Sequence, residues 1–300
     1  MSEALGIDVG GTKVALGRVR DGAGVVARRV IPTRAEEGAQ RVVERIGEAA
    51  AELLAGDRLP VGVAMTGAVD AGSGRVTFAP NLGWSDVPLA AMLQAVLPGP
   101  VRIENDATLA AWGEYYWSEA PRPDPLVMLT LGTGVGGGIV TGGRPLVGAK
   151  GHAAEVGHVI VEPEGRLCGC GRRGCLETLA SGTALDRAAQ SLLGPGARAR
   201  ELVAAAEAGH VDAREELARA GWALGRVVGD LITILDPARV VLTGGVTPAG
   251  EWIMAPLREE AQRRALPVAF VGTVIDWSHF GLDAGLLGAG AWGLVAGDTG

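Results

Sequence analysis

Lysine is almost missing from this 300-residue sequence: Lys13 and Lys150 stand against 25 arginines. A Walker A loop needs Gly-Lys-Ser/Thr, and here the two lysines follow Thr12 and Ala149, so a P-loop nucleotide site is excluded. The arginine bias itself reads as genome composition, not as mechanism. Positive charge is also in deficit, with 27 basic against 34 acidic residues and a net charge of -7, so no surface for nucleic acid is implied. No uncharged apolar run approaches the roughly 20 residues of a membrane helix. Met1–Gly6 shows neither a basic n-region nor a long apolar segment, so the expectation is a cytoplasmic chain without a membrane partner. Cysteine is scarce. The three residues cannot all pair, and they fall together at 168, 170 and 175, where clustered thiols in an unexported chain read as metal ligands before disulfides.

What is present supports a folded α/β protein. The chain is 48% hydrophobic and 20% charged, long enough for one large domain or two moderate ones. Ala4–Ile7, Val14–Val19 and Val25–Ile31 read as strands, the first two joined by a tight Gly10-Gly11 turn. Residues 36–55 carry Ala39, Val42, Val43, Ile46, Ala50, Leu53 and Leu54 at the spacing of one helix face. Val61–Met65 is a strand, 86–97 a helix, and Val101–Glu104 a strand running into a helix from Asn105-Asp106 to about Ser118. The theme then recurs. Leu126–Leu131 is a strand, Gly132–Gly138 a glycine-rich turn, and Ile139–Val140 resumes the β pattern. An apolar strand, a glycine turn and a second strand thus appear twice, about 120 residues apart, which we read as an internal duplication. A long helix bears Ala213, Leu217, Ala220, Leu224, Val227, Val228 and Leu231 on one face and stops at Asp236-Pro237. Val240–Leu242 is a buried-type strand, Gly244-Gly245 turns into a further helix, and Ala284–Val295 is a Gly/Ala helix suited to close packing.

Asp8-Val-Gly10-Gly11-Thr12-Lys13 lies between two strands, where glycines let backbone N–H groups converge on an anion and Thr12 adds a hydroxyl donor. Asp8, ending the first strand, is suited to hold Mg²⁺ through water. The alternative is a plain hairpin turn. Gly132-Thr-Gly134-Val-Gly-Gly137 formally fits the dinucleotide fingerprint, but Gly138-Ile-Val-Thr-Gly-Gly cannot be the helix that fingerprint requires. Thr133 and Gly134 instead mirror Thr12 and Gly11, as two hairpins facing one polyphosphate would.

Asp106 lies where a strand passes into a helix, a position at which the helix dipole and unpaired N–H groups favour a carboxylate able to accept a proton from an attacking hydroxyl. Its alternative reading is an ordinary helix N-cap. Asn81, beside Trp84, together with Glu155, His158 and Glu177, supplies amide, carboxylate and imidazole groups of the kind that satisfy adjacent sugar hydroxyls. Otherwise Asn81 is a turn residue, Trp84 core, and the glutamates solvated. His158 with Cys168, Cys170 and Cys175 makes one histidine and three thiolates, the four ligands of a closed, structural tetrahedral Zn²⁺ site. Buried but unrelated thiols are the alternative.

Gly6-Ile-Asp-Val-Gly-Gly-Thr-Lys13, Glu104-Asn-Asp-Ala107, Leu131-Gly-Thr-Gly-Val-Gly-Gly-Gly138, Glu155-Val-Gly-His158 and Cys168-Gly-Cys-Gly-Arg-Arg-Gly-Cys-Leu-Glu177, in this order, resemble the ROK family of sugar kinases and repressors, within the actin/hexokinase-like ATPase superfamily. The resemblance runs from Leu5 to the C-terminal helix and is closest to the ATP-dependent glucokinases of the family. It implies a two-domain, ribonuclease H-like α/β fold with ATP and sugar in the interdomain cleft, and closure on sugar binding. The domains expected are 1–118, joined by the C-terminal helix over about 284–300, and 119–283 with the zinc loop. Asp106 is implied as the base for the sugar 6-hydroxyl. Gly67, Asn81, Asn105, Asp106, Glu155, His158 and Glu177 are implied as sugar contacts. The implied phosphate contacts are Asp8, Gly10, Gly11, Thr12, Lys13, Thr133 and Gly134, with Gly244 and Gly245 by the adenosine. ATP, Mg²⁺, a structural Zn²⁺ on His158, Cys168, Cys170 and Cys175, and a dimer or tetramer complete the picture. N-acetylmannosamine, fructose and polyphosphate-dependent glucose phosphorylation stay open. No helix-turn-helix stands ahead of the first hairpin, so the expectation is an enzyme and not a sugar-sensing regulator. One departure is Ala154, where many members have Gly.

Overall fold

In the computed structural model, which describes residues 1–297, the chain folds as two units. The first comprises residues 1–122, 144–153 and 283 onward; the second comprises 123–143 and 154–282.

In the first unit β1 (Glu3–Val9) and β2 (Lys13–Arg20) form an antiparallel hairpin, with β3 (Gly24–Pro32) antiparallel to β2. Two parallel neighbours, β4 (Val61–Met65) and β8 (Val101–Asn105), extend the sheet in the order β3-β2-β1-β4-β8. Every residue of β4 is buried, as expected of a parallel strand covered on both faces. Helix α1 (Ala39–Leu54) buries Val42, Val43, Ile46, Ala49, Ala50 and Leu54 in a core shared with Leu5, Ile7 and Val63. Helix α3 (Asp106–Tyr116) follows β8 directly. The C-terminal helix, α10 (Ala284–Gly297), seats on β4 and α3 through glycine: a Cβ on Gly62 would lie 1.9 Å from Ala289 O, and one on Gly288 would lie 1.7 Å from Leu109 O. Its Gly/Ala composition therefore does what close packing requires. The residues expected beyond 297 lie outside the described residues.

The second unit repeats this plan. β9 (Leu126–Leu131) and β10 (Val135–Thr141) form an antiparallel hairpin; β11 (Arg144–Pro145) opens the 144–153 segment of the first unit. β12 (Arg239–Thr243) is parallel to β9, and β13 (Val274–Trp277) is parallel to β12. The run β10-β9-β12-β13 thus matches β2-β1-β4-β8 in order and direction, which is the inferred duplication in three dimensions. Helix α7 (Val211–Leu235) buries the apolar stripe from Ala213 to Val228 and ends where Asp236 turns left-handed, at φ 47°.

Three local expectations change. Residues 86–97 are not one helix: Trp84–Val87 is β7, and α2 spans only Leu89–Gln94. Together β5 (Ala68–Asp70), β6 (Arg75–Ala79) and β7 form a small antiparallel sheet that the hydrophobic pattern did not announce. The second glycine turn is shorter than 132–138, because β10 begins at Val135 and its glycines are ladder residues. Gly244-Gly245 leads into a short 3₁₀ turn, Thr247–Ala249, before the helix at Glu251–Arg264. Among the described residues no helix is long and apolar enough to cross a membrane.

Candidate functional site

The first unit gathers Asp8, the Gly10-Gly11-Thr12 turn, Gly67, Asn81, Asn105 and Asp106. The turn closes with Gly10 N–H donating to Lys13 O at 3.0 Å. Thr33, fully buried just after β3, holds it from behind: its Oγ1 donates to Gly10 O at 2.7 Å and its N–H to Thr12 O at 3.0 Å. Asn81, exposed in a short 3₁₀ turn, stands over Gly11, where an added Cβ would come within 3.4 Å of its own Cβ. Trp84 belongs to the core and not to the sugar site.

At the end of β8 the N-cap of α3 is Asn105, whose Oδ1 accepts from Thr108 N–H at 3.1 Å. The capping role considered for Asp106 therefore belongs to its neighbour. Asp106 is the first residue of the helix proper, with Oδ1 accepting from Ala107 N–H at 2.8 Å. The second end of Asn105 is also engaged: Nδ2 donates to Gly67 O at 3.0 Å, leaving that amide one N–H and one lone pair for a ligand. Glu104, buried at 3% exposure, accepts from Asn105 N–H, and burial raises its carboxyl above the usual range.

Asp8 and Asp106 share this corner. Burial first, and the charge of Asp106 second, push the Asp8 carboxyl up to about 7, against the pull of Lys13 and Arg28. A carboxyl held near neutrality by burial and a like charge gives up its proton readily to a divalent cation. The fit to hydrated Mg²⁺ is therefore chemical.

The second unit gathers the other expected residues. The turn Gly132-Thr133-Gly134 closes with Gly132 N–H donating to Gly134 O at 3.0 Å. Three bonds tie it to the segment after the cysteines: Gly182 N–H to Gly132 O at 2.7 Å, Thr183 Oγ1 to Thr133 O at 2.7 Å, and Val135 N–H to Glu177 Oε2 at 3.2 Å. Gly244, at φ 114°, sits against the same turn: its own Cβ would lie 2.3 Å from Leu131 O, and its carbonyl accepts from Thr247 Oγ1.

His158, Cys168, Cys170 and Cys175 converge, with their ligand atoms all within 4.8 Å of one another. Cys168 Sγ is 3.6 Å from His158 Nδ1, and Cys170 Sγ is 3.6 Å from Cys175 Sγ. Two sulfurs bound to Zn²⁺ at about 2.3 Å in a tetrahedron stand about 3.8 Å apart, whereas a disulfide needs about 2.05 Å. The spacing fits the metal and not the bond. Burial pushes the Cys168 thiol up to about 12, and the Arg172 backbone N–H brings Cys170 down to about 6. Glu177 joins the two groups, because its Oε1 lies 3.5 Å from Cys168 Sγ. Glu155 is exposed on the loop before His158, and that loop lies flat on β10, since a Cβ at Gly157 would sit 1.9 Å from Val135 O. Ala154 adopts φ 63°, a left-handed conformation that explains why glycine suits this position.

Sequence reasoning passed over Thr33, Gly182 and Thr183, whose partners lie 21 to 50 residues away. The only available signal was a Ser-Gly-Thr run following the cysteine cluster. A surface hollow on α1, lined by Arg34, Glu37, Arg41, Glu44, Arg45 and Glu48, holds none of the expected residues; its charges pair among themselves, Arg41 with Glu44 and Arg45 with Glu37.

Comparison with known proteins agrees along the full chain. The ROK family model matches residues 4–295. A glucokinase of Thermotoga maritima is 38% identical over 302 residues, covering 95% of each chain. An N-acetylmannosamine kinase of Citrobacter koseri is 36% identical over 286 residues, covering 95% of this chain and 96% of the relative. Among solved structures, a ROK family glucokinase from Streptomyces griseus in complex with glucose and AMPPNP has a TM-score of 0.82 at 33% identity, covering 97% of this chain and 99% of that one.

Proposed function

Because this chain belongs to the ROK family, we propose that it is an ATP-dependent glucokinase, transferring the γ-phosphoryl group of ATP to the 6-hydroxyl of glucose and releasing glucose 6-phosphate and ADP. The observation that carries the reading is the pair Asp8 and Asp106 beside a glycine hairpin, two carboxylates in one corner with different surroundings. Such a pair suits two tasks. Asp106, at the start of α3, takes the proton of the 6-hydroxyl as its oxygen bonds to phosphorus and the bond to the β–γ bridging oxygen breaks. Asp8 is the carboxylate we assign to the cation. Mg²⁺, when bound, disperses the charge of the phosphates.

Gly67, Asn81, Asn105, Glu155, His158 and Glu177 are the groups we assign to the sugar with Asp106. The N–H groups of Gly11, Thr133 and Gly134, with the side chains of Thr12, Lys13 and Thr133, are assigned to the phosphates, Gly10 lining the same turn while its own N–H closes on Lys13 O, and Gly244-Gly245 to the adenosine side. Zn²⁺, when bound, supplies a rigid closed site with no open position for chemistry. His158 faces the cysteines through Nδ1, which leaves Nε2 to donate to a sugar hydroxyl. We assign the enzyme to the cytoplasm, where ATP is made available to it, and to a dimer or tetramer.

A second reading keeps the site and changes the sugar, to N-acetylmannosamine; the 36% identity to such a kinase favours it over other hexoses. A coupled assay over hexoses and N-acetylhexosamines, with ATP and with polyphosphate, decides between them. Asp106→Asn is expected to lower kcat about 1,000-fold with the glucose KM within about threefold. Near-normal kcat in that variant removes the assignment of the base.

A further inference from the structure

Each glycine hairpin is held from outside by a threonine. Thr33 Oγ1 donates to Gly10 O, and Thr183 Oγ1 donates to Thr133 O, each at 2.7 Å. A neighbouring backbone bond assists in both places: Thr33 N–H to Thr12 O at 3.0 Å, and Gly182 N–H to Gly132 O at 2.7 Å. A trans peptide is planar and points its C=O and the next residue's N–H to opposite sides. Fixing Gly10 O therefore fixes the direction of Gly11 N–H. Fixing Gly132 O and Thr133 O does the same for the N–H groups of Thr133 and Gly134. In each hairpin the anchored carbonyls face the anchoring segment, so those donors face away from it.

We infer that Thr33 and Thr183 are positioning residues for the nucleotide phosphates: they act through the hairpin, by aiming its backbone donors. The inference rests on the assignment of the hairpins to ATP made above. It has a corollary for the second unit. Thr183 and Gly182 follow Cys175 by a few residues, and Glu177 touches both Val135 N–H and Cys168. The cysteine loop and the second hairpin are thus one mechanical piece, and the state of that loop reaches the nucleotide as well as the sugar.

Thr183 is exposed, so it can be altered without opening the core. In the full chain, Thr183→Val keeps the shape and removes the donor. The KM for ATP is expected to rise about fivefold, equivalent to about 1 kcal/mol, with the glucose KM within twofold. Without nucleotide, deuterium uptake in the peptide over residues 131–136 is expected to quicken. Thr183→Ser is expected to restore both. An unchanged ATP KM overturns the inference, as does a parallel rise in both KM values. A raised ATP KM with unaltered uptake in the nucleotide-free protein also overturns it, because the hydroxyl would then be touching the nucleotide directly. Wild-type protein that neither binds ATP nor phosphorylates a hexose sinks the functional reading itself, and this inference with it.

Discussion

Thr33, which anchors the first hairpin, is sealed at 0% exposure among the strands of its sheet, whereas Thr183 of the second lies at the surface. Behind the first hairpin stands a hydrophobic core: Ile7 and Val9 on one strand, Val14 and Leu16 on the other, all fully buried. Behind the second Leu129, Leu131 and Val135 are buried as well, and to this core is added the segment 177–183, which descends from the cysteine loop. Two copies of one topology therefore share apolar support and differ in the segment that anchors the turn. Burial of apolar surface supports both, at roughly 25 cal/mol per Å² removed from water. The segment behind the second follows a loop in which His158 and the three cysteines converge. The duplication kept the backbone and let the support diverge.

Removal of Cys175, a proposed metal ligand, is the strongest test of that contrast. Cys175 is fully buried, so Cys175→Ser leaves a hydroxyl, a poor ligand for Zn²⁺, where the thiol stood. Elemental analysis of the wild type is expected to give about one zinc per chain, and of the variant close to none. The glucose KM is expected to rise tenfold or more. Deuterium uptake is expected to quicken over residues 131–136 and 155–183 while residues 5–15 keep their protection. Equal loosening of both hairpins would erase the distinction, and no loosening of either would deny the metal its part.

The first hairpin has its own weak point, which is electrostatic. Asp8 is raised to about 7 in the folded protein, against an ordinary value of 3.8. A carboxyl whose pKa is raised by folding stabilises the fold while it is protonated in both states, below about pH 3.8. That contribution is lost progressively as pH rises toward 7. Asp8→Asn carries no such charge. In urea titrations without Mg²⁺, the stability of the variant relative to wild type is expected to grow from pH 4 to pH 7, by on the order of 2 kcal/mol, and then level off. Parallel curves across that range would show that Asp8 is already ionised and solvated.

Much of this was written in the residue pattern. Strands such as Leu126–Leu131 and Val61–Met65 are largely apolar runs, and α7 repeats its stripe over about five turns, so both periodicities stand clear of noise. The convergence of His158 with the three cysteines was legible because cysteine is rare enough for a cluster to carry meaning. Failures fell where elements are short. β5, β6 and β13 span three to five residues and bury one or two side chains each, too few to display alternation. Phe78 in β6 is 59% exposed, which inverts the expected pattern. The threonine anchors were invisible for another reason: a hydroxyl that bonds a carbonyl 23 or 50 residues away leaves no local mark. Asp106 shows a third limit. Sequence allowed it to be either cap or base, and only the Asn105 Oδ1 bond to Thr108 N–H gave the cap to its neighbour.

Ala154 marks a smaller asymmetry within the second unit itself. A non-glycine residue at φ 63° pays about 1 kcal/mol for crowding between its Cβ and the following carbonyl. Against this, the methyl group packs on the edge of the second core, and alanine restricts the unfolded chain more than glycine does. The conformational strain is the larger of the opposing contributions, so Ala154→Gly is expected to stabilise the protein by about 0.5 kcal/mol, read from the urea midpoint. The same change loosens the approach to Glu155, whose loop is otherwise pressed onto β10 at Gly157. Glucose KM is therefore expected to rise up to about twofold even as stability increases. A variant that loses stability would show instead that the methyl contact outweighs the strain, and that the second hairpin draws more support from apolar packing than its exposed threonine suggests.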